Sequence, residues 1–282
     1  MGKNCSKGFE TAVSGIEKGP SVEHIRKQSQ MVQTPAYKYA RAFCSEVLGI
    51  DETDHFAIED RIYMAEPKSE ASINRKARDN YGGDSTRITD GARLTIFTRS
   101  PKELKEAMKV FGSNMRQHNF NKDIQRRSGY THHHDPRDFI TNPKRWGYMA
   151  LYLTIEYDGT PFEVQIYPES MKATYDKTHK LYEAVRGSLE NWEQKSKHSG
   201  KPVPIDSVLT AGEIEVVKEI LELHKIAAKE AGLLPMVKTK FPEFDDLPAL
   251  IKEPEIEQYP QDRKTPSATH RPSSSEHLTY DA

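Results

Sequence analysis

Between residues 144 and 167 the chain reads KRWGYMALYLTIEYDGTPFEVQIY, an alternation of apolar and polar positions interrupted at Asp158-Gly159. A period of two marks β-strands, and Asp-Gly tolerates the positive φ that a two-residue hairpin turn demands. A turn there pairs Thr154 with Glu163 and Tyr152 with Gln165. It puts Met149, Leu151, Leu153 and Ile155 on one face with Phe162, Val164 and Ile166. Tyr148, Tyr152, Thr154, Glu163, Gln165 and Tyr167 take the other. The first face is core, and the second is solvent or a cleft.

ARLTIFT, 92 to 98, reads as another strand, and SPKELKEAMKVFG after it reads as a helix opened by Ser-Pro and closed by Gly112. Helical spacing also predicts helices over 21–49, 68–80, 168–192 and 211–232. In the first of these, Thr34 is the expected cap, with Pro35 in the first turn. Residues 113–143 read as irregular. Strands and helices in this order predict an α/β (α+β) fold, a mixed sheet of about five strands flanked by helices. We divide the chain into an N-terminal helical segment (1–60), a core (61–190), a C-terminal helical extension (191–234) and a Pro-rich, largely disordered tail (235–282).

The 282 residues balance 41 Lys and Arg against 42 Asp and Glu, so no global field recruits nucleic acid or membrane. Mean hydropathy is low, −0.78, which fits a chain that is not packed throughout. Two cysteines, Cys5 and Cys44, are too few for a disulfide framework or a cysteine-based zinc site. The N-terminus lacks an apolar core segment and no stretch is long enough to span a bilayer. We therefore expect no signal peptide, no membrane association and a cytoplasmic site of action, with non-classical secretion left open. Positive charge is local: Arg116 to Arg145 holds seven Lys or Arg against three Asp, a net charge of +4, with four histidines. His132, His133, His134 and Asp135 cannot all face one ion from an extended loop, because consecutive side chains alternate in direction. Trp146 and Trp192 are expected to pack.

Four blocks can carry chemistry. Lys68, Ser72 and Lys76 are spaced by four, one row on a helix face, and two ammonium groups around a hydroxyl suit a polyphosphate. Asp90 precedes a strand and is followed by a glycine that permits close approach, as a magnesium ligand or a turn residue does. NPKRWGY, 142 to 148, is a basic loop ending in Tyr148. FEVQI, 162 to 166, puts Glu163 on the face of Tyr148.

In this order the blocks Lys68-Ser72-Lys76, Arg87-Asp90-Arg93, Pro143-Lys144-Gly147-Tyr148 and Glu163-Gln165 resemble the RelA/SpoT-type (p)ppGpp synthetase domain. The resemblance covers about residues 66 to 187 and is to small or toxin-like single-domain members. It implies a nucleotidyltransferase-like synthetase fold and an ATP:nucleotide 3′-pyrophosphokinase, with Mg2+ held by Asp90 and Glu163. Glu163 would also activate the attacking hydroxyl. Lys68, Ser72 and Lys76 would grip the ATP phosphates, with Arg99 near the adenine. Tyr148 would stack on the acceptor base, and Lys144, Gln165 and Arg93 would contact the acceptor, GDP or GTP. Where the family has arginine, asparagine and histidine, this chain has Glu66, Trp146 and Tyr152. Those departures leave open an adenine nucleotide or a tRNA 3′ end as acceptor, or a non-catalytic nucleotide-binding module. We expect no hydrolase domain in the length before the motifs.

Overall fold

The structure is a computed structural model; it describes residues 22–111, 118–127, 129–132, 136–201 and 203–250. Gly112, His133 to Asp135 and the chain beyond residue 250 lie outside these. Six strands form one mixed sheet: β1 (Ile62–Met64), β2 (Ala92–Thr98), β3 (Tyr130–His132), β4 (Arg137–Asp138), β5 (Leu151–Tyr157) and β6 (Thr160–Pro168). The spatial order is β1-β2-β6-β5-β3, with β4 also on β5. Among the described strand pairs, β2–β6 alone is parallel.

The hairpin forms in the expected register. Tyr152 pairs with Gln165 and Thr154 with Glu163, around a turn in which Asp158 and Gly159 have φ of 45° and 76°. Met149, Leu151, Leu153, Ile155, Phe162, Val164 and Ile166 are at most 1% exposed. Each such aliphatic side chain contributes roughly 2 kcal/mol on burial. This apolar face packs with Tyr39, Phe43, Phe111 and Phe120 from the helices α2 (Gln33–Glu46), α5 (Pro101–Phe111) and α6 (Asn119–Arg126).

Three local readings change. The region 21–49 is two helices, α1 (Val22–Met31) and α2, and Thr34 does not cap: Val32 N–H donates to Gln28 and Ala36 N–H to Val32, so helical bonding runs almost unbroken through the junction. Pro35 is tolerated in the first turn, where its missing N–H costs little. The stretch 113–143 is not irregular throughout, since it holds α6, β3 and β4. The six strands are one more than expected, β4 being a two-residue bridge.

Two long helices follow the hairpin: α7 (Lys172–Ser199) and α8 (Ala211–Glu230). Thr210 and Glu213 close a reciprocal capping box on α8. A second core lies between them, around Val185, Leu189, Trp192, Val217, Ile220 and Leu221. Trp192 is fully buried, its indole N–H donating to the Val203 carbonyl at 2.8 Å, and Trp146 packs against this core, both as expected. Phe241 and Leu247 are buried from the segment after α8. Among the described residues, no helix is long and apolar enough to cross a membrane.

Candidate active site

Asp90 is delivered by a short, tightly fixed segment. A 3-10 turn, Ser85–Arg87, is capped by Asp84, whose carboxylate accepts from Thr86 N–H at 2.9 Å. Ile88 then enters the small core formed with Ile25 of α1 and Ile73 and Ala77 of α4 (Glu70–Tyr81). Gly91 lets α1 lie directly against the chain, since a Cβ there would run into Ser29 Oγ.

The two lysines reach Asp90 from different places. Lys76 comes from the second turn of α4, but Lys68 lies outside the helix, because Ser69 is the cap and accepts from Ser72 N–H at 3.3 Å. The single helical row is therefore corrected. Lys68 sits on an extended lead-in whose N–H donates to the Gly91 carbonyl at 3.1 Å, beside the start of β2. The two ammonium groups still meet on one atom, Asp90 Oδ2, at 2.7 Å for Lys68 and 3.0 Å for Lys76. Asp90 is 8% exposed, and its Oδ1 is buried without a hydrogen-bond partner. Burial pushes the Asp90 carboxyl up, but Lys76 and Lys68 outweigh it and hold it at about 2. Burial also pulls the Lys68 ammonium down, against the attraction of Asp90. Ser72 stands in the first turn of α4, its hydroxyl accepting from Ser69 Oγ at 3.2 Å. Arg87 stacks on Tyr81, 4.8 Å from the ring centre.

The parallel pairing of β2 and β6 sets Arg93 opposite Glu163 and Thr95 opposite Gln165. Glu163 is 7% exposed; its Oε1 accepts from Gln165 Nε2 at 2.5 Å and its Oε2 faces Arg137 Nη2 at 3.5 Å. Tyr152, on the next strand, ties the groups together. Burial raises its hydroxyl well above the usual tyrosine range, helped by the negative charges of Glu163 and Asp90 and opposed by Arg137 and Arg93. Tyr152 donates in turn to Tyr148 Oη at 2.6 Å.

Lys144 occupies a box of three rings: its Nζ is 4.6 Å from the centre of Phe139, 5.1 Å from Tyr152 and 5.5 Å from Tyr148. Such contacts stabilise an ammonium by roughly 0.5–2 kcal/mol. Tyr148 also packs on Tyr175 and Tyr167, with ring centres 4.8 and 5.6 Å apart.

The structure thus gathers Lys68, Lys76 and Asp90 at the mouth of β2, with Arg93, Glu163, Gln165, Tyr148 and Lys144 along the polar face of the sheet. It does not bring Arg99 there. Arg99 follows the last residue of β2 and is ion-paired with Asp60 and Glu169. A seven-residue strand separates it from Asp90, roughly 20 Å along the chain.

Arg137 beside Glu163, Phe139 beside Lys144 and His224 of α8 beside Tyr148 are neighbours of these residues that the motifs do not include. Arg137 and Phe139 fall in the stretch read as irregular, and no periodicity marks a two-residue strand. His224 had a signal: it sits between Leu221 and Ala228 on the apolar stripe of α8, where a polar residue is out of pattern.

The donor set suits a hard divalent cation. Among the described residues, no group of three or more His, Cys, Asp or Glu could hold a metal by protein ligands alone. Magnesium commonly takes one or two carboxylates and completes its shell with substrate phosphate and water. Asp90, with an unpartnered Oδ1, and Glu163, in register with Arg93 three residues further on, are the two carboxylates that could meet that description.

No protein-family model matches the chain, and no curated protein matches it in sequence. Solved structures similar to it include the small alarmone synthetase 1 from Bacillus subtilis bound to its product pppGpp, at 16% identity and TM-score 0.44 over 74% of this chain and 95% of that one. A GTP pyrophosphokinase family protein from Streptococcus pneumoniae is similar at 14% identity and TM-score 0.47, over 82% of this chain and 94% of that one. The type VI effector Tas1, solved with its immunity protein, is similar at 17% identity and TM-score 0.44, over 74% of this chain and 96% of that one.

Proposed function

We propose that this chain is a magnesium-dependent pyrophosphokinase that transfers the β,γ-pyrophosphate of ATP to the 3′-hydroxyl of a nucleotide acceptor, GDP or GTP. The observation that carries this reading is Asp90: buried, ionised by two lysines on one oxygen, and keeping its other oxygen unpartnered. Buried polar atoms mostly find a partner, so an unpaired carboxylate oxygen is a place for a ligand.

Lys68, Lys76 and the N-terminal turn of α4, with Ser72, would receive the ATP phosphates. Their charge and the helix dipole favour a polyanion there. Asp90 and Glu163 would hold Mg2+, which when bound offsets charge on the transferring phosphates. Glu163, held in orientation by the Gln165 amide, would take the proton of the acceptor 3′-hydroxyl. The freed oxygen attacks the β-phosphorus of ATP. The bond from that phosphorus to the α,β-bridging oxygen breaks, and AMP leaves with the bonding pair. Tyr148 would carry the acceptor base and Lys144 and Arg93 its phosphates, whose anionic charge would draw Lys144 out of its ring box.

Arg126, Arg127, Arg137 and Arg145 are paired with Asp123, Glu46, Glu163 and Glu193. Four of the seven local cations are thus held by carboxylates, which weakens a track for a nucleic-acid backbone and favours a free nucleotide over tRNA. The test is incubation with γ-labelled ATP, magnesium and, in separate reactions, GDP, GTP, ADP, ATP and tRNA. Label on GDP or GTP with equimolar AMP supports the reading. Label on tRNA or adenine nucleotides alone would replace the acceptor, and nucleotide binding without AMP release would make the chain a binding module.

A further inference from the structure

Lys144 and Tyr148 stand on a turn that has few bonds of its own. Lys144 N–H donates to the Tyr148 carbonyl at 3.0 Å and Gly147 N–H to the Lys144 carbonyl at 2.7 Å. The turn is held from outside by Arg145, paired with Glu193 of α7 at 2.9 Å, and by α8, far along the chain. His224 Nδ1 lies 2.8 Å from the Trp146 carbonyl. A carbonyl only accepts, so Nδ1 carries the proton and donates. The other ring nitrogen, Nε2, faces the Thr178 hydroxyl of α7 at 3.1 Å. His224 is 3% exposed, and its ring lies against Tyr148 and Tyr175, with ring centres 6.4 and 5.7 Å apart. Gly147 completes the fit: at φ +77°, its missing Cβ would stand 2.9 Å from His224 Cβ and 3.0 Å from Phe241 Cζ.

We propose that His224 is a positioning residue for the acceptor site: its Nδ1–H bond to the Trp146 carbonyl holds the 144–148 turn, and hence Lys144 and Tyr148, over the sheet face. The link to the acceptor rests on the function proposed above, whereas the anchoring does not. On this account α8 touches no substrate, yet the acceptor site depends on it. The bond also explains why Trp146 can pack into the α7–α8 core while its neighbours face the sheet: its carbonyl and its indole are held by the same pair of helices.

The test compares His224→Ala, His224→Gln and His224→Asn with the unaltered protein. Asparagine places an amide N–H near the position of Nδ1, and glutamine places one near Nε2. Losing one buried hydrogen bond corresponds to about tenfold faster local opening. His224→Ala and His224→Gln are therefore expected to speed amide exchange at Gly147 and neighbouring turn residues about tenfold, with β6 amides unchanged. His224→Asn should restore protection. In the transfer assay, Ala and Gln should raise KM for the acceptor about tenfold and leave KM for ATP within twofold, with Asn recovering it.

Unchanged turn exchange in His224→Ala, or equal behaviour of Asn and Gln, would overturn the anchor. Equal rises in both KM values would overturn its assignment to the acceptor side. If His224→Ala does not fold, the Asn and Gln pair decides by the same readouts. If the unaltered protein transfers nothing, the proposed function fails while exchange still decides the anchor, and titration of GDP binding to the same variants replaces KM.

Discussion

Arg93 and Glu163 are register partners across the parallel β2–β6 pair. Their pairing joins the strand that follows Asp90 to the strand that carries the second carboxylate. A slip of one residue would turn Glu163 into the core.

Replacing Asp90 with Asn should abolish transfer, by at least about a hundredfold, since it removes charge from a proposed metal ligand. It should also change the acid limb of stability. The Asp90 carboxyl is depressed from 3.8 to about 2 in the folded chain, so the unfolded chain takes up the proton first. Its contribution, about 2 kcal/mol, is fully present above pH 4 and lost as pH falls towards 2. Denaturant unfolding between pH 4 and 2 should lose stability more steeply in the unaltered protein than in Asp90→Asn.

His224 gives a second window. Burial holds its imidazole down from 6.5 to about 4, against its bonds to the Trp146 and Ile220 carbonyls. The unfolded chain binds this proton first, so stability is complete above pH 6.5 and declines as pH falls to 4, by up to about 3 kcal/mol. Its ring is faced by Tyr148, Tyr175 and Thr178. The decline should be absent in His224→Asn, measured by unfolding at pH 7, 5.5 and 4.

Gly147 and Gly159 both have positive φ, 77° and 76°, but different surroundings. A Cβ at Gly159 meets only Glu156 Oε1 at 3.9 Å, whereas one at Gly147 strikes His224 and Phe241. Gly159→Ala should cost about 1 kcal/mol from backbone strain alone, and Gly147→Ala about 2–4 kcal/mol. Thermal melts of the two variants check the order.

Arg99 is 40% exposed in its ion pairs at the far end of β2. Arg99→Ala should leave transfer within twofold and cost at most about 1 kcal/mol. A large loss of activity would return Arg99 to the site.

The hairpin was legible because a turn that needs positive φ and an alternation of seven buried side chains specify one register. β2 was legible for a related reason: an unbroken run ending at a Ser-Pro helix start. Where a tertiary neighbour decides the outcome, the sequence was silent. Lys68 reaches Asp90 along an extended lead-in, and the Ser69 cap that excludes it from α4 reads equally well as a helical position. Thr34-Pro35 has the form of a helix start, but bonding carried over from α1 overrides it. Arg99 is near Asp90 in sequence only; a straight strand takes it away. Arg137 reaches Glu163 from a strand too short to have a pattern.

The most direct test is label transfer from γ-labelled ATP to GDP or GTP by the unaltered protein and by Glu163→Gln, with magnesium present and then chelated. We predict labelled nucleotide and stoichiometric AMP only with magnesium and the intact glutamate, with Glu163→Gln still binding ATP and reduced by about a hundredfold or more in rate. Full activity in Glu163→Gln, or transfer that survives removal of the metal, would contradict the account.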